Sequence, residues 1–229
     1  MPKIEPKGEF ETTADYNARL TSVSNSASQT IFVYKTPESM EFIQYDADNQ
    51  RFAIKSYAFS NEYLDAWHVF YDTPYSEALD ASTIHNIDVQ ISSSDKANGT
   101  YAATNSFGVT TIVTKIDRTI KGIFERPTSY SMRETSFSNL FPAAEESPYI
   151  VGYLPMPSER ARVAESTLKL AFAIAPRFPF IVRNTYESGS PTVNRPNEVT
   201  VRATVIIADI KCGLVMDGEN KVLGAFPTR

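Results

Sequence analysis

Two histidines, His68 and His85, and a single cysteine, Cys212, bound the chemistry open to this 229-residue chain. Zinc sites draw on Cys and His in closely spaced pairs, and neither H-x-x-x-H nor C-x-x-C occurs, which argues against a structural zinc ion. Phosphate cradles need clustered glycines ahead of a helix, but the nine glycines never fall into G-x-G-x-x-G or G-x-x-x-x-G-K-[ST], so no cofactor is expected. The G-x-S-x-G elbow of acyl transfer is also absent, and Glu187-Ser188-Gly189-Ser190-Pro191 reads as a turn. Paired carboxylates occur at Asp46 and Asp48 and at Glu145 and Glu146. The first pair opens like a calcium loop but lacks the loop glycine and the closing glutamate, so a hairpin turn is expected there. Glycosidase acids meet in space from separate strands, and spacing cannot nominate such a pair.

The composition cluster that could bind a ligand is Tyr63, Trp67, His68, Phe70, Tyr71 and Tyr75, interleaved with Glu62, Asp65, Asp72, Glu77 and Asp80. Exposed rings stack on sugars or pack against a partner while nearby carboxylates accept hydrogen bonds, which makes Tyr63, Trp67, His68 and Tyr71 the candidate ligand-binding residues. The competing reading has the same rings filling the core beneath an irregular crossing segment. Cys212, in the strand-like stretch from Ala208 to Val215 and beside apolar neighbours, reads as a small buried hydrophobe.

Charge narrows the partners. Lys plus Arg is 22 against 27 for Asp plus Glu, and the net charge of -5 argues against nucleic acid and anionic membranes. The longest apolar runs are about six residues, far below the ~20 of a membrane-spanning helix. No transmembrane segment is expected. Met1 to Gly8 has no apolar stretch of the kind a signal peptide carries.

The elements that must position these residues are mostly strands. Thr12 or Thr13 caps a helix, with Asp15 completing an acidic capping box and Tyr16, Leu20 and Val23 forming one stripe, ending within Ser24 to Ser28. Strands are expected over Gln29 to Lys35, then as a hairpin of Ser39 to Tyr45 with Arg51 to Phe59 around Asp46 to Asn49. A helical turn over Asn61 to His68 precedes strands at Thr83 to Ser93, at Thr100 to Ala103 after an Asn98-Gly99 turn, at Phe107 to Asp117 and at Thr119 to Glu125. Arg126 to Tyr149 reads as a long loop holding Pro127, Pro142 and Pro148. Ser158 caps a short helix over Glu159 to Ser166. Leu168 to Ile174 and Val199 to Ile207 then alternate as strands, and Ile210 to Val215 with Lys221 to Phe226 closes a hairpin.

The opening Lys7-Gly8-Glu9-Phe10-Glu11-Thr12-Thr13-Ala14-Asp15-Tyr16-Asn17-Ala18-Arg19 resembles a phrase near the mature N-terminus of many uncharacterised bacterial envelope proteins and lipoproteins. Asn105-Ser106-Phe107-Gly108-Val109 and the piece from Tyr186 through Pro191-Thr192-Val193 are similar to the same group. The resemblance implies a place in the periplasm or cell envelope, with the cytoplasm as the alternative, and no established activity.

The expected fold is therefore α+β and predominantly antiparallel β, sandwich-like or strongly twisted, with an N-terminal helix and one further short helix. It forms a single domain, or two β-rich lobes (about 12–126 and 150–229) joined by the loop 126–149. The expected function is a non-enzymatic binding or scaffolding module acting on another envelope protein or a cell-wall carbohydrate. The alternatives are a hydrolase with a carboxylate/His site between lobes, or a carbohydrate-binding module using the 63–75 segment.

Overall fold

Val199, Val201, Ala203, Val205 and Ile207 alternate with Thr200, Arg202 and Thr204, and period-two patterning of this kind folds as a strand with one buried face. In the computed structural model the run is the first half of a 20-residue strand, Asn197–Met216, which lies at the centre of the larger of two sheets. The structure describes residues 7–26, 30–35, 40–59, 69, 87–125, 140–142, 144, 147 and 149–228.

Among the described residues, the strands in chain order are β1 (Ile31–Lys35), β2 (Ile43–Asp46), β3 (Arg51–Lys55), β4 (Ile87–Thr104), β5 (Thr110–Glu125), β6 (Ile150–Pro155), β7 (Lys169–Glu187), β8 (Asn197–Met216) and β9 (Val222–Pro227). The larger sheet has the order β1-β7-β8-β5-β4, with β9 also on β8; the smaller is β2-β3-β6. In both sheets, strands that precede residue 126 pair with strands that follow residue 149. β1 and β4, at opposite ends of the larger sheet's order, approach each other, so that sheet curls.

The two faces of the larger sheet bury different sets of side chains. One face carries Leu170, Phe172, Ile174, Ile210 and Val215 against Ile43, Phe52, Ile54 and Leu154 of the smaller sheet, which is the sandwich-like core. Each such side chain, fully removed from water, contributes about 1.5–3 kcal/mol. Phe59 sits at the centre, with its ring centroid 4.9 Å from that of Phe141, 5.7 Å from Phe172 and 6.1 Å from Phe226. A second cluster gathers Ile120, Phe124, Val182, Val201, Ala203, Val205, Ile207 and Val69. A third, smaller one joins Ala171, Ala173, Leu214 and Met216, with Cys212 packed against it.

The helices follow the capping chemistry in part. Helix α1 (Thr13–Ser26) starts as its sequence requires. The Asp15 amide donates to Thr12 Oγ1 at 3.1 Å, and the Thr12 hydroxyl donates to Asp15 Oδ2 at 2.6 Å. Arg19 grips Glu11 through Nε and Nη2 at 2.9 and 2.8 Å, and this pairing leads the causes that hold the Glu11 carboxyl down at about 2. Tyr16 is half-buried, while the side chains of Leu20 and Val23 lie outside the described residues. After the helical turn α2 (Ser56–Phe59), the remaining helix among the described residues is α3 (Ser158–Ala164), continued by a 3-10 turn over Glu165–Thr167. Its cap is Pro157 rather than the expected Ser158, whose hydroxyl instead lies 3.1 Å from that of Tyr45.

Several boundaries differ from the sequence reading. Ser39 to Tyr45 begins with a 3-10 turn over Met40–Phe42, and β3 stops at Lys55 because Ser56–Phe59 turns helically to bury Ala58 and Phe59. Asn98-Gly99 does not reverse the chain. It is a bulge inside β4, with Gly99 at φ +94°, where a left-handed residue adds length to one strand without turning it. The turn falls at Asn105 to Val109 instead, and the two strands expected on its far side are one, β5. β8 pairs antiparallel with β7 and parallel with β5, so the sheet is mixed rather than wholly antiparallel at this strand. Residues 126–139 of the expected long loop lie outside the described residues, and its far end is tied down by buried Leu140 and Phe141.

Candidate functional site

The aromatic candidates Tyr63, Trp67, His68 and Tyr71 lie outside the described residues, as do Phe70, Tyr75 and His85. Val69, in the middle of that segment, is described and is fully buried in the second cluster. Glu145 and Glu146 also lie outside. Asp46 caps the β2–β3 turn, accepting from the Asn49 backbone and side-chain amides at 3.2 and 2.7 Å; these bonds lower its carboxyl pKa and occupy it as a turn residue. Cys212 is half-buried, and desolvation raises its thiol pKa, which disfavours the reactive thiolate.

Two places among the described residues have a geometry beyond packing. The first is the outer end of the β4–β5 hairpin. β8 begins to pair with β5 at Thr114↔Asn197, yet β5 and β4 continue together through Val113↔Tyr101 to Thr110↔Thr104. At about 3.3 Å per residue, these further pairs carry the ribbon about 13 Å beyond the β5–β8 ladder, before the turn is added. No residue from Thr100 to Thr114 is charged. A collar of ion pairs lies below: Arg118 holds Asp95 at 2.7 Å, Arg202 reaches Asp117 at 3.3 Å, and Lys115 reaches Glu198 at 3.7 Å. Val113 is buried and the Tyr101 hydroxyl donates to Glu198 Oε2 at 2.7 Å, so the arm is rooted on β8.

The turn at the tip is locked. Asn105 Oδ1 accepts from the Phe107 and Val109 amides at 3.0 Å each. The Gly108 amide donates to the Asn105 carbonyl and the Asn105 amide to that of Val109, both at 3.0 Å. Gly108 takes φ +80°, a conformation that a side chain would strain. This frame presents Phe107 at 91% exposure, with Ile112 at 58% and Val109 at 47% on the same ribbon. An aromatic ring held in water by four hydrogen bonds is shaped for contact.

The second place is a seam on β8. One edge of this strand is taken by β5 as far as Ile207 and by β9 from Cys212. Between them the Ile210 amide donates to Glu125 Oε1 at 2.9 Å, and the Thr228 hydroxyl donates to the Ile210 and Lys211 carbonyls at 2.7 and 3.1 Å. Asp209, alongside, pairs with Arg177 and, at 3.3 Å, with Lys211. Glu125 Oε2 is buried and has no hydrogen-bond partner. Burial, countered in part by the Ile210 bond, raises its carboxyl pKa to about 7, with Asp209 adding to the rise.

No protein family, curated protein or solved structure matches the chain. The site therefore has to be read from its own chemistry. Two carboxylates in contact with different environments suggest acid–base work, but Glu125 has one oxygen committed to a backbone amide and the other shut away from solvent, so a substrate cannot reach it as placed. The hydrolase alternative gains nothing from this pair.

Sequence reasoning passed over both places. The sequence reading begins a strand at Phe107, whereas the structure puts this residue in the Asn105 to Val109 turn, where its ring has no buried face to join. Asp209 interrupts the apolar run from Val205 to Ile210, and a charge in such a run has to be paired. Glu125 carries no comparable mark, since its neighbours on β8 are set by a parallel pairing that local pattern does not encode.

Proposed function

We propose that this chain is a non-enzymatic binding or scaffolding protein that engages a protein partner through the β4–β5 arm, and that it works in the bacterial envelope. The observation that carries the binding reading is the uncharged, hydrogen-bonded ribbon ending in Phe107 at 91% exposure above a ring of ion pairs. A two-stranded ribbon gains little stability by itself in water, so its length is better accounted for by contact with something else. Protein is favoured over lipid because β4 ends the strand order and β5 lacks β8 beyond Thr114. Backbone groups on such edges cost several kcal/mol each in hydrocarbon, whereas a partner's backbone and apolar cleft can satisfy both edges and ring. The envelope placement rests on the resemblance of the opening segment and of the Phe107 turn.

The test replaces Phe107 with a photo-crosslinking phenylalanine in the native host and uses position 219, in the turn after β8 at the far end of that strand, as the control. A discrete protein adduct from position 107, absent from position 219 and reduced at least about tenfold by adding Ile112→Asp, is the expected result. Equal adducts from both positions, or lipid adducts alone, would overturn it. Fractionation of the same cells, with the mass of the mature N-terminus, decides the location separately.

A further inference from the structure

We propose that the protonated Glu125 side chain is a latch on the β8 seam, and that its ionisation loosens β9 and the Thr228 cap from β8. A strand edge that changes neighbours leaves a gap where backbone groups need other partners. Here the gap is filled from two sides. Glu125, the last residue of β5, supplies the acceptor for the Ile210 amide, and Thr228, directly after β9, supplies donors to the carbonyls of Ile210 and Lys211, including its own amide at 3.1 Å from the Lys211 oxygen. Ile210 is thus held by β5 through its amide and by Thr228 through its carbonyl.

On the β4 side Glu125 stands opposite Ile87, which carries no ionisable group. β8 contributes Asp209 and Lys211, and β7 contributes Arg177 from an irregular stretch between Pro176 and Ile181, where buried Phe180 holds a left-handed φ of +67°. Both cations are engaged by Asp209. β9 brings no ionisable side chain, only the Thr228 hydroxyl beyond its end. An ionised Glu125 would therefore hold a buried oxygen without a donor beside a second carboxylate, and the relief open to it is to swing toward water. That movement releases the Ile210 amide and with it the neighbouring cap.

The direction with pH follows from linkage. The folded-state value of about 7 lies above the ordinary 4.5, so the folded chain binds this proton more tightly than the unfolded chain. The stabilisation is complete below the ordinary value and is lost as pH rises through about 7. The latch closes in acid and opens in base, whatever the arm binds.

Amide hydrogen exchange of the full chain, corrected for intrinsic rates, tests this. Between about pH 5.5 and about pH 8.5, protection at Ile210, Gly224, Ala225 and Phe226 is expected to fall at least tenfold, while Val201 and Ala203 in the parallel ladder hold constant. Glu125→Gln, which keeps the acceptor and cannot ionise, is expected to flatten the profile. Flat protection in the wild type, or the same fall in the variant, would overturn the latch. A carboxyl-carbon titration of Glu125 by NMR needs no variant, and a midpoint below about pH 5 would overturn it as well.

Discussion

The inner and outer halves of the β4–β5 hairpin are made by the same two strands, yet they are held by different forces. At the inner end Val89, Ile123 and Phe124 are fully buried, two of them in the main core and Phe124 in the second cluster. From Ser92 outward β4 is mostly exposed, and what holds it is the backbone ladder, the Asp95–Arg118 pair and the Asn105 turn. Burial is what separates a part of the chain that defines the fold from a part that can be spent on recognition. The comparison predicts that substitutions near the core will cost stability and leave contact chemistry alone, and that substitutions on the arm will do the reverse.

The largest effect is expected from Phe59→Ala, which empties the ring stack with Phe141, Phe172 and Phe226. Denaturant unfolding should show a loss of about 3–5 kcal/mol. Next is Gly213→Ala. A Cβ there would stand 2.5 Å from two carbons of the Phe59 ring, so the ring or the β8 backbone has to move, at a cost of about 1–3 kcal/mol in the same measurement. If Gly213→Ala proved neutral, the tight approach of β8 to Phe59 would be wrong. In the collar below the arm, Arg118→Ala removes an exposed ion pair and should cost less than about 1 kcal/mol. The smallest effect is Phe107→Ser, expected within about 0.5 kcal/mol of the parent, while the protein adduct from a photo-crosslinking residue placed instead at position 112 is lost. A destabilisation by Phe107→Ser comparable to that of Phe59→Ala would erase the distinction between the two halves.

Much of the core is legible in the sequence because burial writes a period, and the start of α1 is legible because a cap has its own residue types. The alternation from Val199 to Ile207, the Phe52 and Ile54 pair, and the Thr12–Asp15 cap all appear in the structure as their patterns require. The outer half is less legible, since a ribbon wet on both faces has no face to encode. Asn98-Gly99 was misleading for that reason. The dipeptide permits a reversal and equally permits a bulge, and the long-range ladder between Ala97↔Ile116 and Thr100↔Thr114 decides which. The parallel pairing of β5 with β8 was unreadable for a related reason: neither strand differs locally from one with antiparallel neighbours. The seam at Glu125 inherits that difficulty, being a product of which strands meet.

That pairing also sets an order of events during synthesis. Ile116 cannot find Val199 until the intervening β6, α3 and β7 have left the ribosome, and loop closure of such length is slow to nucleate. Through that interval the apolar face of β5, with Ile120 and Phe124, has no β8 to rest on. A nascent chain halted before Asn197 would expose this strand to other proteins, which makes chaperone demand and aggregation depend on how promptly β8 is translated.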